Sequence, residues 1–254
     1  MIFKKKIFWF FFWTIFITAF VITFASALFY ALGLNFNYKT GKITRTSILI
    51  VDTNINEAKV WVDDKEAASP AKFNRIAPGP YTIKVQQEGY QSWEKNIELI
   101  AGEVLRINDA LLVYEKPIVV EDPKKQQDIK IDYLAPEKFK LDQAELIISS
   151  PNGHFIAYKL ANEIWLRNLD NNEDKLVTRF SSHDFSNLLW HDDNKHLFVF
   201  HENKIQVMDL DGLNICDLGI TADNNRQYIF EATSGSKIIR FYQNGTIQAV
   251  SIEP

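Results

Sequence analysis

The stretch "PGPYTIKVQQEGYQSWEKNIEL", residues 78–99, predicts a β-hairpin. After Pro80 the residues Tyr81, Ile83 and Val85 alternate with polar residues, so they share one face of a strand. The dipeptide Pro78-Gly79 supplies first a negative and then a positive φ, which is the combination that a type II turn requires. The hairpin is therefore expected to belong to a sheet with one buried face.

The same pattern extends to both sides of this hairpin. Turn residues separate short apolar runs every eight to twelve residues from 46 to 113, a spacing typical of a small antiparallel β-sandwich. Six strands are predicted there: Ser47–Asp52, Ala58–Asp63, Ala71–Ile76, Tyr81–Glu88, Ser92–Ile100 and Val104–Ala110.

Two motifs in this region resemble a known family. Pro-Gly-x-Tyr at 78–81 is followed, one strand later, by Gly-Tyr-x-x-Trp at Gly89, Tyr90 and Trp93. Together with Ser69-Pro70, this pattern is similar to the PEGA domain, a small β-fold of prokaryotic envelope and surface proteins, although the tetrapeptide that names the family is degraded here to "NINEAK". We call residues 46–113 the PEGA-like module. The resemblance implies a binding or spacer module without a catalytic site.

The aromatic residues of these motifs are expected to have a structural role. Tyr81, Tyr90 and Trp93 are large apolar side chains beside turns, where such residues usually pack in the core. We therefore predict that they fill the core or support the turns, and the residues that bind a ligand stay unknown at this stage.

The N-terminal segment predicts a membrane helix. No charged residue occurs at 7–34, a run long enough to form a helical rod of about 42 Å and thus to cross the ~30 Å hydrocarbon core. Three lysines in the predicted cytoplasmic tail, 1–6, favour an N-terminus inside the cell and export of everything after the spacer at 35–45. The alternative is a signal peptide cleaved after Ala27, but its apolar core would be unusually long.

The exported part is acidic. The first 45 residues carry six positive charges and no negative one, and the chain as a whole has a net charge of −4, so the rest carries −10. An acidic surface argues against nucleic acid as a partner, because nucleic-acid affinity comes from lysine and arginine on phosphates. The single cysteine, Cys216, excludes an intramolecular disulfide, and its apolar neighbours predict a buried, unreactive thiol.

The C-terminal portion, 145–254, contains an internal repeat. "SPNGHFIAYKLANEIWLRNLDN" from Ser150 aligns without gaps to "HDDNKHLFVFHENKIQVMDLDG" from His191, and a third, weaker copy ends the chain. Repeats of about 40 residues that hold several short strands are typical of β-propeller blades. The predicted units are 145–186, 187–227 and 228–254.

The turn that opens the first copy resembles a specific repeat type. Ser150, Pro151, Asn152 and Gly153, followed by "HFIAY", are similar to the repeats of TolB-like and WD-like propellers. Closed propellers need about four to eight blades, so three copies leave three alternatives: an open stack completed by strands from the linker at 114–144, a ring closed by oligomerisation, or a truncated relative of longer proteins. In the linker, Ile118–Val120 and Ile129–Leu134 are the candidate strands.

No motif in the sequence predicts an enzyme, a cofactor or a metal site. His191, His196 and His201 recur at intervals of five, but His196 and His201 fall on opposite faces of one strand, which favours surface or turn histidines. Asp170, Asn172 and Asp174 begin like a calcium loop, but the glycine and glutamate that such a loop needs are missing.

Three functions are compatible with these patterns. The leading interpretation is a non-enzymatic, membrane-tethered binding or scaffold protein of the cell envelope, with mainly β modules that contact another envelope protein or a cell-wall polymer. The second is an accessory or sensor subunit of an envelope complex, acting through the membrane helix of a partner. The third is a truncated relative of a propeller-gated hydrolase.

Overall fold

The chain is mainly β, with one long N-terminal helix. The computed structural model describes residues 2–37, 41–120, 141, 143–181, 185–222, 227–233, 236–243 and 246–253. Helix α1 spans Ile2–Ala31, and within it Trp9–Ala31 has the length and the mean hydropathy, 2.1, of a membrane span. None of the side chains in that span is buried by the rest of the protein.

Helix α1 ends earlier than the uncharged run predicts. Gly33 has a φ of 65° and its N–H donates to the carbonyl of Tyr30, which closes the last turn and ends the helix. The helix thus begins before the predicted span at 7–34 and ends three residues before the end of that span. The predicted spacer at 35–45 is a hairpin, with β1 at Leu34–Asn37 and β2 at Lys42–Arg45.

The PEGA-like module is a two-sheet sandwich. One sheet has three strands in the order β6-β3-β9, and the other has four in the order β5-β4-β7-β8. The strands are β3 (Ser47–Thr53), β4 (Lys59–Val62), β5 (Lys65–Ala68), β6 (Ala71–Ile76), β7 (Gly79–Gln86), β8 (Trp93–Leu99) and β9 (Val104–Ala110). Ile83 and Val85 are fully buried between the sheets, and Thr82 and Gln86 are exposed, as the alternation predicts.

Three features of this module differ from the prediction. The seventh strand, β5, was missed because "KEAA" lacks the β-branched and aromatic residues that identify strands. The module is also not wholly antiparallel, since β3 and β9 pair in parallel, with the long connection through the other sheet that such a pair needs. Gly79 lies within β7 at a φ of 137°, outside the geometry of a type II turn.

The repeats form three four-stranded antiparallel sheets, which we call the first, second and third repeat sheets. The first contains β11 (Leu146–Ser149), β12 (Phe155–Leu160), β13 (Glu163–Asn168) and β14 (Glu173–Arg179). The second contains β15 (Phe185–Trp190), β16 (His196–His201), β17 (Lys204–Asp209) and β18 (Cys216–Thr221). The third contains β19 (Gln227–Thr233), β20 (Ser236–Gln243), β21 (Thr246–Glu253) and β10 (Ile118–Val120).

The sheets confirm the repeat alignment and one of the predicted linker strands. Ile156, Leu197 and Ile239, which the repeat superimposes, are all fully buried in equivalent second strands. Strand β10 from the linker pairs with β21 and supplies the fourth strand of the third sheet. The second unit begins two residues before its predicted start, at Phe185, and the other candidate strand, 129–134, lies outside the described residues.

The second repeat sheet lies between the other two. Leu197 and Val199 on one face of β16 belong to the core shared with the first sheet, and Phe198 and Phe200 on the other face belong to the core shared with the third. The first strands of successive sheets also adjoin, β11 against β15 and β15 against β19. This is the arrangement of propeller blades stacked around a common side.

Candidate functional site

The PEGA-like module is fixed to the repeat sheets by a polar junction. The indole N–H of Trp93 donates to Asp209 Oδ2 at 3.2 Å, and Lys95 Nζ lies 2.9 Å from Asp109 and 2.7 Å from Asp211. Asn54 bonds both to the backbone of Leu112 and to Glu253 in the last strand. Because these contacts are buried or half-buried, the module and the sheets form one continuous body at this point.

The turn between β15 and β16 lies at this junction and has the same backbone geometry as the signature turn of the first repeat. In the first repeat, Ser150 N–H donates to Phe155 O and Gly153 N–H donates to Ser150 O. In the second, His191 N–H donates to His196 O and Asn194 N–H to His191 O. The two turns therefore place their first, third and sixth residues equivalently.

In the first repeat the side chains at these positions bond within the turn, and the backbone N–H of Asn152 also donates to Asn194 Oδ1 in the second repeat's turn. The Ser150 hydroxyl donates to Asn152 Oδ1 at 2.7 Å and accepts the backbone N–H of Phe155 at 2.9 Å. Asn152 Oδ1 also accepts the N–H of His154, and Gly153 has the positive φ that the turn requires. The signature Ser150, Asn152 and Gly153 thus have a structural role, and Pro151 lies exposed in the same turn.

In the second repeat the same three positions hold His191, Asp193 and His196. His191 Nδ1 is 3.0 Å from Asp193 Oδ1, and His196 Nδ1 is 2.6 Å from Asp193 Oδ2. Both histidines are 2 % exposed. The turn therefore brings two imidazoles to one carboxylate. Both rings face Asp193 through their Nδ1 atoms.

The opposite ring nitrogens bind groups from distant parts of the chain. His191 Nε2 is 2.6 Å from Glu253 Oε1, in β21 of the third sheet. His196 Nε2 is 3.0 Å from the carbonyl oxygen of Asp109, in β9, and 3.2 Å from Asp209 Oδ1, in β17. The cluster consequently connects the second sheet to the third sheet and to the PEGA-like module.

The electrostatics of the cluster favour positive charge on the imidazoles. Burial alone would lower the pKa of His196, but hydrogen bonds to Asp193 and Asp209 outweigh it and raise the pKa to about 9. The pKa of His191 is raised in the same way, against the effect of burial, by Asp193 and Glu253. Burial would raise the pKa of Asp193, yet the two histidines hold it well below the usual range of an aspartate.

A cleft of about 350 Å³ opens onto the cluster. Its walls come from the module and from the second and third sheets, and its lining residues are Asp52, Thr53, Asn54, Asn108, Asp109, Ala110, Leu111, His191, Asp193, Lys195, His196, Lys237 and Glu253. Four of these are carboxylates, and they face two lysines and the two positively charged imidazoles, so acidic and basic groups balance in the lining. Such a lining offers both hydrogen-bond donors and acceptors to a ligand.

The predicted site residues fall into separate places. Trp93 is 1 % exposed and lies in the core of the module, and Tyr81 packs against that core, as predicted. Tyr90 and Tyr114 form a ring pair, with centroids 4.9 Å apart, beside the turn at Gly89. Pro78 lies in the loop before β7.

The three histidines were predicted to lie at the surface or in turns, and the surface alternative is wrong because all three are buried. His196 and His201 lie in β16, which is covered on both faces, and His191 opens the turn before that strand. His201 does lie on the face opposite His196, with its ring centroid 4.3 Å from that of Phe180. Convergence of His191 with His196 was missed because they meet across a turn rather than along one strand.

The remaining candidates lie away from the junction or have another role. In the calcium-like segment, Asp170 lies beside His154, and Asp174 forms a bidentate pair with Arg167 in the neighbouring strand. Cys216 is half-buried against the second sheet's core, and burial, with a smaller effect of Asp209, raises its pKa to about 11. This thiol is consistent with the predicted low reactivity.

A comparison with protein families identifies the fold of the PEGA-like module. Residues 46–112 match the PEGA domain. The match ends one residue before the PEGA-like module as defined from the sequence, and it covers the module whose edge forms one wall of the cleft. No curated protein sequence matches the chain.

Solved structures that are similar to the chain include propeller proteins. One is TolB from Acinetobacter baumannii, with 9% identity and a TM-score of 0.28 over 82% of this chain and 55% of that one. Another is the β-propeller domain of the Trilobed protease from Pyrococcus furiosus, which has an open velcro topology, with 12% identity and a TM-score of 0.27 over 82% of this chain and 58% of that one. The chain thus spans little more than half the length of either, and the propeller-like arrangement here is established by its own repeat sheets.

Proposed function

We propose that the protein is a membrane-tethered, extracytoplasmic binding or scaffold protein of the cell envelope, with its N-terminus in the cytoplasm, and that it acts by binding rather than by catalysis. The observation that carries this proposal is that helix α1 is apolar and uncovered. Its apolar span has no protein cover, and burying such side chains in lipid avoids the cost of exposing each to water, about 1.5–3 kcal/mol for a large apolar residue.

The end of the helix is joined directly to the PEGA-like module. Arg75 in β6 donates to the carbonyl oxygens of Tyr30, at 2.7 Å, and Leu34, at 3.2 Å, and its guanidinium lies 4.1 Å from the centre of the Tyr30 ring. Thr46 donates to the carbonyl of Gly33 through both its backbone N–H and its hydroxyl. A cation at the C-terminal end of a helix is favourable for the helix dipole. These contacts support a module held at the membrane surface.

The same junction favours a second candidate, an accessory or sensor subunit. A helix that is hydrogen-bonded to a folded module can pass a displacement of that module into the membrane. Replacement of residues 7–31 by an unrelated apolar span separates the two candidates, because a scaffold keeps its binding and its cellular role, whereas a sensor keeps binding and loses the role.

The proposed function is tested by co-sedimentation of the full chain, in detergent micelles, with protein-stripped cell wall from the source cell. We expect saturable pelleting, which falls in Asn54→Leu because this cleft-lining amide is lost, and does not fall in the matched surface variant Asn171→Leu. An alkaline phosphatase fused after the last residue should be active, since this reporter works only outside the cytoplasm. An inactive fusion overturns the orientation, and absence of pelleting overturns the wall polymer as ligand.

A further inference from the structure

We propose that His191 Nδ1, His196 Nδ1 and the Asp193 carboxylate form a binding site for a divalent transition-metal ion of the zinc class. The three ligand atoms all lie within 4.8 Å of one another. A tetrahedral zinc ion, with bonds of about 2.0–2.2 Å to nitrogen and oxygen, needs its ligands about 3.3 Å apart. Both Nδ1 atoms already lie within 3.0 Å of Asp193 oxygens.

The groups behind the two histidines are those that metal sites use. A histidine that binds a metal usually donates its other ring N–H to a carboxylate or a backbone carbonyl, which fixes the tautomer and the direction of the free lone pair. Here Glu253 Oε1 lies 2.6 Å from His191 Nε2, and the Asp109 carbonyl and Asp209 Oδ1 lie 3.0 and 3.2 Å from His196 Nε2, so each ring has an acceptor for its Nε2–H. The two Nδ1 atoms that face Asp193 are then the nitrogens that could bind an ion.

A backbone donor of the turn reaches the same nitrogen. The N–H of Asp193 lies 3.2 Å from His191 Nδ1 and can donate to it when the imidazole is neutral, which is the form that binds a metal. The same nitrogen lies 3.1 and 3.0 Å from carboxylate oxygens of Asp192 and Asp193. A nitrogen lone pair and a carboxylate oxygen at this distance repel each other unless a proton or a metal cation lies between them.

One oxygen near the cluster lacks a hydrogen bond. Asp192 Oδ1 is buried beside His191, and within the part of the chain that the structure describes it has no hydrogen-bond partner. A buried carboxylate oxygen without a partner is costly. It is available as a fourth ligand or as an acceptor for water on the ion.

The lysines of the cleft are directed to other groups. Lys237 pairs with the second oxygen of Asp192, and Lys195 Nζ donates to the backbone carbonyl of Asn108 at 2.6 Å. A dication in the cluster would replace the two imidazole protons as the positive charge that Asp193 and Glu253 require.

The site would lie where the second sheet meets the third sheet and the PEGA-like module. Because its outer partners come from β9, β17 and β21, an ion there holds together elements that are distant in the sequence. This role goes beyond the proposed binding function and stands whether or not a wall polymer is the partner.

The test is isothermal titration of the full chain with ZnCl₂, in detergent micelles and after removal of bound metal by a chelator. We expect one ion per chain. Asp193→Asn and His196→Gln should each lower the affinity by about a hundredfold or more, because loss of an outer partner already costs 10- to 100-fold. His154→Ala, at the exposed histidine of the first repeat's turn, and His201→Gln, at the buried histidine of the opposite face, should bind like the parent chain.

A second measurement does not depend on the folding of the variants. In the unsubstituted chain labelled with ¹⁵N-histidine, zinc should shift the Nδ1 resonances of two histidines and leave the others unchanged. The proposal is overturned if the chain does not bind zinc, if Asp193→Asn binds it as tightly as the parent, or if His154 accounts for the stoichiometry.

Discussion

For Trp93 the sequence predicted the burial of the side chain but not its hydrogen-bond partner. A tryptophan after a Gly-Tyr turn is expected to pack in the core, and it does. Its N–H, however, reaches Asp209, 116 positions along the chain. No periodicity in the sequence reports such a contact, because it depends on how two modules dock.

Replacement of Trp93 by phenylalanine should destabilise the protein by about 2–3 kcal/mol. The change removes a hydrogen bond to a charged group, worth about 1.5–3 kcal/mol, and leaves a small cavity in the module. Asp209 keeps its bond from Asn214, at 2.9 Å, which limits the loss. The measurement is denaturant unfolding of the full chain followed by circular dichroism.

Trp61→Phe is the matched control. Trp61 lies in β4 of the same module and is half-buried, so its truncation should cost clearly less. Equal losses for the two variants would show that the bond between Trp93 and Asp209 contributes nothing.

The sequence predicted the repeat sheets, whose pattern is local, and did not predict the histidine cluster, whose contacts are distant in the chain. The repeat predicted blade-like units of short strands, and the first two sheets do bury apolar residues at the same offsets. The cluster at the turn between β15 and β16 was not predicted, since its outer partners lie 62 and 87 positions away. The local signal was the presence of His, Asp and His where the first repeat has Ser, Asn and Phe.

Strand β10 gives a prediction at the level of an element. It forms the edge of the third sheet and covers β21. Val119→Pro should unpair it, because proline removes a backbone donor and fits poorly in a paired strand. We expect a loss of about 1–3 kcal/mol and faster hydrogen exchange of the amides at 249–251.

Val119→Ala separates backbone from side chain. The valine is 80% exposed, so its truncation should change the stability by no more than about 0.5 kcal/mol. If the alanine variant exchanges as fast as the proline variant, the side chain and not the pairing holds the strand. An uncovered β21 is also a free edge, so the proline variant should aggregate more readily.

At the scale of the whole molecule, the fold joins an apolar helix, the PEGA-like module and three blade-like sheets through polar contacts. The core between the second and third repeat sheets includes Leu111 and Val113 from the end of the module, so the module and the sheets also share apolar surface. The sequence predicted each part from its own pattern. It could not predict the junction, because the charges that form it are spread over the chain from Lys95 to Asp211.

Lys95 at this junction gives a prediction with a defined pH dependence. Its side chain is 18% exposed and faces Asp109, Asp209 and Asp211. Lys95→Met leaves these carboxylates without their shared cation and should cost roughly 3 kcal/mol at neutral pH, the lower end of the cost of breaking a buried pair. Lys59→Met, which breaks a surface pair with Glu66, should cost less than about 1 kcal/mol.

The difference between the parent chain and Lys95→Met should disappear in acid. Burial would raise the pKa of Asp211, but its hydrogen bond to Lys95 outweighs burial and the pKa is lowered. A carboxylate with a lowered pKa in the folded state stabilises the protein above its unfolded pKa, and that contribution is lost as the pH falls through the folded value. Unfolding curves of the two chains should therefore converge below about pH 4. A gap that stays constant from neutral to acidic pH would mean that Lys95 acts through packing of its aliphatic stem on the ring of Trp93, and not through its charge.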